Sequence, residues 1–242
     1  VQINHSRWQP DLPAMQTPQM FGIEIGGGGA PRQVNGSGVE FSYLRPDGTP
    51  AWQLRFQGPI IEIECTRYTR WDRIWQQARR HLETALAVVV EGSIDADVKI
   101  FGATLQYVDR FSTADANYDL SSLFNQNEYM PSRIFEHRDV WHFHQGWFDY
   151  SNELGPVLNN LNLDARYEPP ENKSQIFVNI LHLQQLRYTE QLSIATFQTE
   201  MSKRLDAMMQ SLHNKNKEVV GSLLDKNMGS KIGLSLPVES VD

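Results

Sequence analysis

The sequence predicts an α+β fold in two similar halves, each an antiparallel sheet of about three to four strands covered by one long helix. Three observations carry this expectation. Apolar–polar alternations recur close together along the chain, which favours antiparallel pairing of neighbours. Two long segments, 70–91 and 196–226, repeat bulky apolar residues at helical spacing. A run of strands followed by a long helix occurs twice, although the halves share no readable sequence repeat. The expected organisation is an irregular arm and Gly-rich loop over 1–37, a first half over 38–130, a second half over 131–228 and a loose tail over 229–242.

The elements follow in order. Residues 1–18 are rich in Pro, Gln and other polar residues and read as an irregular arm. Residues 19–25 read as a first strand. Gly26 to Gly38 reads as a loop, because the Gly26–Gly29 run loses much backbone entropy on ordering. Val39–Leu44 alternates with period two, Pro46-Asp47-Gly48 marks a turn, and Trp52–Phe56 alternates again, which makes a hairpin. Pro59–Cys65 is a further strand, with Ile61, Ile63 and Cys65 on one face and Glu62 and Glu64 on the other.

A helix over 70–91 comes next, with Thr69 as its N-cap and Asp72 three positions on. Its stripe runs Trp71, Ile74, Trp75, Ala78, Leu82, Ala85, Leu86 and Val89, and Gly92 ends it. Val98–Phe111 reads as a long strand whose internal Gly102 marks a bulge or a close backbone approach. After a connector over 112–130, with one short helix at 119–125, Asp139–Tyr150, Leu158–Tyr167 and Gln175–Tyr188 read as three more strands. The last helix, 196–226, has a stripe of Met201, Leu205, Met208, Met209, Leu212, Val219, Val220, Leu223 and Leu224.

Composition narrows the classes of function. The 242 residues carry 22 Lys+Arg against 29 Asp+Glu, a formal net charge of −7, and 40% are hydrophobic. That mix suits a folded globular chain and is too apolar for a disordered one. The acidic balance argues against a dedicated binder of duplex DNA. The single cysteine, Cys65, excludes a disulfide within the chain and a multi-cysteine zinc site, and it fits a reducing compartment. No apolar run is long enough to span a bilayer, and Val1 to Pro10 is no secretory leader, so the expectation is a cytoplasmic protein without a membrane partner.

Several constellations invite chemistry. His142 and His144 lie two apart on a strand, so both imidazoles face one way and are candidate metal ligands, with His182 as a third. The alternative is a polar sheet face. Tyr107 and Asp109 share a face of their strand while Arg110 points the other way, which suits a polar network in the core. Arg67, Arg70 and Arg73, interleaved with Tyr68 and Trp71, are candidate contacts for single-stranded nucleic acid, although Trp71 also belongs to the helix stripe. The Gly26–Gly29 run is followed by Ala30-Pro31-Arg32 and lacks the Gly-Lys-Ser/Thr ending of a phosphate loop. No Gly-x-Ser-x-Gly elbow occurs. Cys65 on an apolar strand face reads as inert packing. No catalytic residue is identified, and no cofactor is expected.

Three segments taken together resemble a known family. They are Tyr68 to Trp75 at the start of the first helix, Phe101 to Phe111 in the strand after it, and Leu205 to Leu224 with its Leu212-His213 step. They are similar to the tyrosine-x-x-tryptophan helix start, the glycine-leucine-arginine-tyrosine-x-asparagine-arginine strand and the leucine-histidine terminal helix of a sporadically distributed prokaryotic family. Tyr107 and Arg110 match that strand, whereas Gln106 and Asp109 stand where the family often has Arg and Asn. The family has no assigned chemistry. The resemblance therefore implies a fold and, through patchy distribution, a mobile or defence-linked setting, but no catalytic residues.

The function expected from all this is a non-enzymatic protein–protein binding or assembly module. Its partner is another protein or a second copy, docking at a sheet edge or at the Met-rich terminal helix with Met201, Met208, Met209 and Met228. Six Trp, eight Tyr and eleven Phe supply anchors for such a contact. One alternative is a metal- or small-ligand-binding pocket enzyme using His142 and His144. A second is binding of single-stranded nucleic acid through the 67–80 basic helix.

Overall fold

The computed structural model describes residues 5–24, 32–92, 98–113, 118–136, 140–168, 175–194 and 200–234. The Gly26–Gly29 loop, His137, residues 196–199 of the expected last helix and the tail beyond Leu234 lie outside them. The fold is α+β, with two four-stranded sheets and a separate two-stranded one among the described residues. The chain divides into two compact units, Val1–Val98 with Ser193–Leu205 and Lys99–Leu192 with Asp206–Asp242. This corrects the expected boundary at 130/131. The strand after the first helix, Lys99–Thr113, follows the first half in sequence, but its backbone pairs into the second sheet.

In the first unit, β1 (Ala14–Gln16), β4 (Val39–Leu44), β5 (Pro50–Gln57) and β6 (Ile60–Cys65) form a sheet in the order β1-β4-β5-β6, every pair antiparallel. Strands β2 (Gln19–Glu24) and β3 (Arg32–Ser37) pair with each other, so part of the expected Gly26–Gly38 loop is strand. Gln57 faces Ile60 across a two-residue turn whose Gly58 has φ +54°, a value glycine adopts without a Cβ penalty.

Phe41, Leu54 and Ile63 stand in register on one face and share a cluster with Ala85 and Val88 of helix α1 (Trp71–Glu91). On the other face Arg55 bridges Glu40 at 3.0 Å, Glu62 at 3.4 Å and Glu64 at 2.8 Å. The expected separation of Ile61 and Ile63 from Glu62 and Glu64 is thus realised.

Three details of this unit differ from expectation. The arm is not simply irregular: Trp8 and Leu12 are buried in the first core, and Trp8 stacks on Phe41 at 4.8 Å. The Trp8 carbonyl accepts from the amides of both Asp11 and Leu12, and this tight turn aims both side chains inward. Helix α1 has Arg70 at its N-cap, extended and without a side-chain cap, so Thr69 does not cap it. Its buried residues are Trp75, Ala78, His81, Ala85 and Val88, a stripe rotated to include a histidine.

In the second unit, β7 (Lys99–Thr113), β8 (Trp141–Asp149), β9 (Val157–Tyr167) and β10 (Ile176–Ser193) form a sheet in the order β7-β10-β9-β8. The strand order does not repeat that of the first sheet, so the two halves are not alike in topology. On one face Trp141, Ala165 and Val178 stand in a row, as do Phe143, Leu163 and Ile180. They share a core with Val219, Val220 and Leu223 of helix α2 (Met201–Leu223).

Segment 118–136 closes this core with Leu120, Phe124, Met130 and Ile134. It also satisfies the end of α2. The Asn125 side chain donates to the Leu224 carbonyl at 2.7 Å, and the Asn127 side chain donates to the Ser222 carbonyl at 2.7 Å. The expected loose tail from 229 begins instead inside helix α3 (Lys226–Lys231), and Leu234 packs on the second core.

Candidate functional site

The period-two pattern of the second sheet places two mixed rows on its covered face: Gln145, Leu161 and His182, then Trp147, Asn159 and Gln184. Helix α2 brings His213 and Asn216, both buried, on the stripe that carries its apolar residues. His182, 1% exposed, is held from both sides. Its Nδ1 lies 2.9 Å from Asn216 Oδ1 and its Nε2 lies 3.2 Å from Asn159 Oδ1. Trp147 stacks on the imidazole at 6.0 Å. Burial pushes the His182 pKa down, with the Asn216 contact opposing it, so the ring is neutral near pH 7. A neutral imidazole donates once and accepts once. One of the two carboxamides therefore turns its NH2 toward the ring.

Nearby, the Tyr107 hydroxyl of β7 meets His213 Nδ1 at 2.8 Å, a second polar link between sheet and helix. Two groups of this layer are not satisfied in the same way. Among the described residues, both polar atoms of the buried Gln184 side chain lack a partner. Asp109, on the same face of β7 as Tyr107, is held up in pKa by burial. The seam is a polar lock inside an apolar core. Its imidazole has both nitrogens committed and almost no access to solvent.

The other face of the same sheet has a different chemistry. His142 and His144 are exposed there, His142 opposite Asp164 and His144 opposite Asn162. A shallow groove of about 700 Å³ crosses this face, with Val108, His142, Asn162, Asp164, Asn179 and Leu181 in its lining. Asn179 Nδ2 donates to Asp164 Oδ2 at 2.9 Å, and Arg166 approaches the same carboxylate at 3.9 Å. Exposed apolar side chains stand on this sheet: Phe101 is 65%, Val108 58% and Phe148 50% exposed. Phe148 also stacks on the exposed Tyr150 at 6.1 Å.

These positions correct the expected metal triad. His142 and His144 face the open side while His182 faces α2, so the sheet itself separates them. Among the described residues no group of three His, Cys, Asp or Glu side chains is arranged to hold a metal ion. The second constellation is split as parity foresaw. Tyr107 and Asp109 point to the covered face, whereas Arg110 pairs with Glu168 and lies 3.7 Å above the Phe177 ring. Arg67, Arg70 and Arg73 are exposed at the start of α1, and among the described residues none of them makes an ion pair. Trp71 stacks on Trp75 at 5.6 Å. The Cys65 thiol is pushed up in pKa by burial and touches the Arg67 carbonyl, as suits a packing residue.

Asn159, Gln184 and Asn216 were not foreseen. Each sits at a position the apolar period marks as inward: 159 between Val157 and Leu161, 184 between His182 and Leu186, and 216 in the gap of the α2 stripe between Leu212 and Val219. A polar residue on an apolar period was the available signal. No family model matches the chain, and neither a curated protein nor a solved structure is significantly similar to it.

Proposed function

We propose that the chain is a non-enzymatic protein-binding module that presents the open face of its second sheet to a partner. The observation that carries this reading is a groove floored by Asn162, Asp164 and Asn179 and lined by the exposed Val108, on a sheet that also exposes Phe101 and Phe148. Apolar anchors around a polar, hydrogen-bonding floor suit a protein interface. The covered face supports the reading from the other side, since its His182 is committed to Asn159 within the sheet and to Asn216 of α2. Kinship with the sporadically distributed prokaryotic family, and a mobile or defence-linked setting, belong to the same reading and rest on Tyr68, Trp71, Tyr107, Arg110 and the Leu212-His213 step.

The test is recovery of co-purifying material from the native host at low salt, with the wild type beside a Phe101→Ser/Val108→Ser variant. A stoichiometric protein held by the wild type and lost by the variant supports the reading. Equal retention by both, or no retained protein, overturns it.

A second reading is favoured by three exposed arginines that make no ion pair among the described residues, Arg67, Arg70 and Arg73, at the positive end of α1. It is binding of single-stranded nucleic acid. It predicts nuclease-sensitive material in the same recovery and an affinity that falls steeply with salt.

A further inference from the structure

A sheet edge is a template for another strand unless the protein blunts it with shortness, charge, proline or a bulge. Three of the four edges of the two larger sheets are blunted. Strand β1 is three residues long. Strand β6 carries Glu62 and Glu64. Strand β7 steps its inward alternation by one at Gly102–Ala103 and turns the charged Asp109 inward. Strand β8 has none of these devices. It is nine residues long, pairs with β9 without a break from Trp141↔Ala165 to Asp149↔Val157, and has no Pro, Lys, Arg, Asp or Glu before its last residue. Among the described residues no backbone hydrogen bond reaches its outer side.

We propose that β8 pairs with β8 of a second copy of this chain, antiparallel about a two-fold axis through Gln145. Register decides this. Directly opposed residues share a face, so a self-pairing that keeps both covered faces on one side of the joined sheet must centre on a residue and not between two. Only centring on Gln145 then pairs all nine residues. Four of the five kinds of opposed pair in that register are compatible, and the fifth sets Trp141 against the partner's Asp149 at the strand ends. On the covered face Phe143 meets the partner's Trp147, twice by symmetry, and Gln145 meets its own copy. On the open face His142 meets the partner's Phe148, and His144 meets the partner's Gly146. No two acidic or two basic residues oppose each other. Centring on His144 would set two imidazoles against one another and strand two residues at the end. The contact is isologous and closes at two copies, giving one sheet of eight strands. It uses the edge and is independent of the open-face reading.

The experiment uses the full chain. Sedimentation velocity over a wide concentration range is expected to give a species of twice the 27.8 kDa chain mass. Gln145→Lys, which sets two ammonium groups at the axis, is expected to weaken that dimer at least tenfold, with the far-UV circular dichroism of the wild type. Because that variant loses the Gln145 bond to the Tyr129 carbonyl, a second variant tests the register without a buried charge. Cys65→Ser/His144→Cys/Gly146→Cys is expected to form an intermolecular disulfide between position 144 of one copy and 146 of the other, located by peptide mapping. A monomer at every concentration overturns the proposal, as does a dimer that forms no such disulfide. Phe101→Ser/Val108→Ser leaves β8 intact, so loss of partner capture with the dimer retained separates failure of one reading from failure of the other.

Discussion

His182 of β10 and Asn216 of α2 meet at 2.9 Å inside the second core, and this contact ties the long helix to the middle of its sheet. The pair is buried among apolar side chains, where an unpaired imidazole or carboxamide would be costly. Its geometry therefore selects one seating of α2 along the strand.

The buried imidazole makes stability sensitive to acid. Its folded pKa lies below the unfolded value of about 6.5, so the unfolded chain takes up the proton first. Stability from neutral burial is complete above about pH 6.5 and declines as pH falls from there toward the folded value. His81, buried in the first unit and also pushed down by burial, adds a slope of the same sign. Urea unfolding followed against pH is expected to show that decline. His182→Gln is expected to flatten it in part, and adding His81→Gln to flatten it further. His182→Leu, which strands Asn159 and Asn216, is expected to cost about 1–3 kcal/mol at neutral pH.

Gln184 sits beside that lock with neither end of its carboxamide met by any of the described residues. Replacing a buried polar group that lacks partners with an apolar one of similar shape removes its desolvation cost. Gln184→Met is expected to stabilise the chain by about 1 kcal/mol, measured by chemical denaturation. A loss of stability would show that the carboxamide is satisfied.

Asp109 carries a cost of opposite pH sense. Burial raises its folded pKa above the unfolded value of about 3.9, so the folded chain holds its proton longer. Its contribution is best at and below about pH 3.9 and worsens as pH rises through the folded value. Asp109→Asn is expected to raise stability at neutral pH by on the order of 1 kcal/mol, with no gain in strong acid.

At Gly102 the backbone of β7 closely approaches that of β10. A methyl group there would fall inside van der Waals contact with the Leu186 carbonyl and 3.3 Å from Arg187 Cα, backbone atoms that cannot swing away. Gly102→Ala is expected to cost about 1–3 kcal/mol by forcing the strands apart. Hydrogen exchange is expected to report the loss along β7 more than along β8.

Much of the scaffold was readable. The alternation of Ile176, Val178 and Ile180 marked a covered face, the Met208-Met209-Leu212 spacing marked the helix that covers it, and Gly102 stood out as a close approach inside a strand. The site was less readable because its polar members hide on the same periods. Hydrophobic counting passes over His81, Asn159, Gln184 and Asn216, although their phase is inward. Trp8 was missed for a related reason: the polar residues around it outweigh one aromatic in any composition window.

By itself the sequence determined the long strands with their two sides and both long helices, because backbone preference and side-chain period are local properties. It placed His142 and His144 on one side of their strand and Tyr107 opposite Arg110. Tertiary structure alone decided that Lys99–Thr113 joins the second sheet, that the arm seals the first core with Trp8, and that His182 lies across the sheet from His142 and His144. Those outcomes depend on which distant strands share hydrogen bonds and in what register, and no local period carries that information.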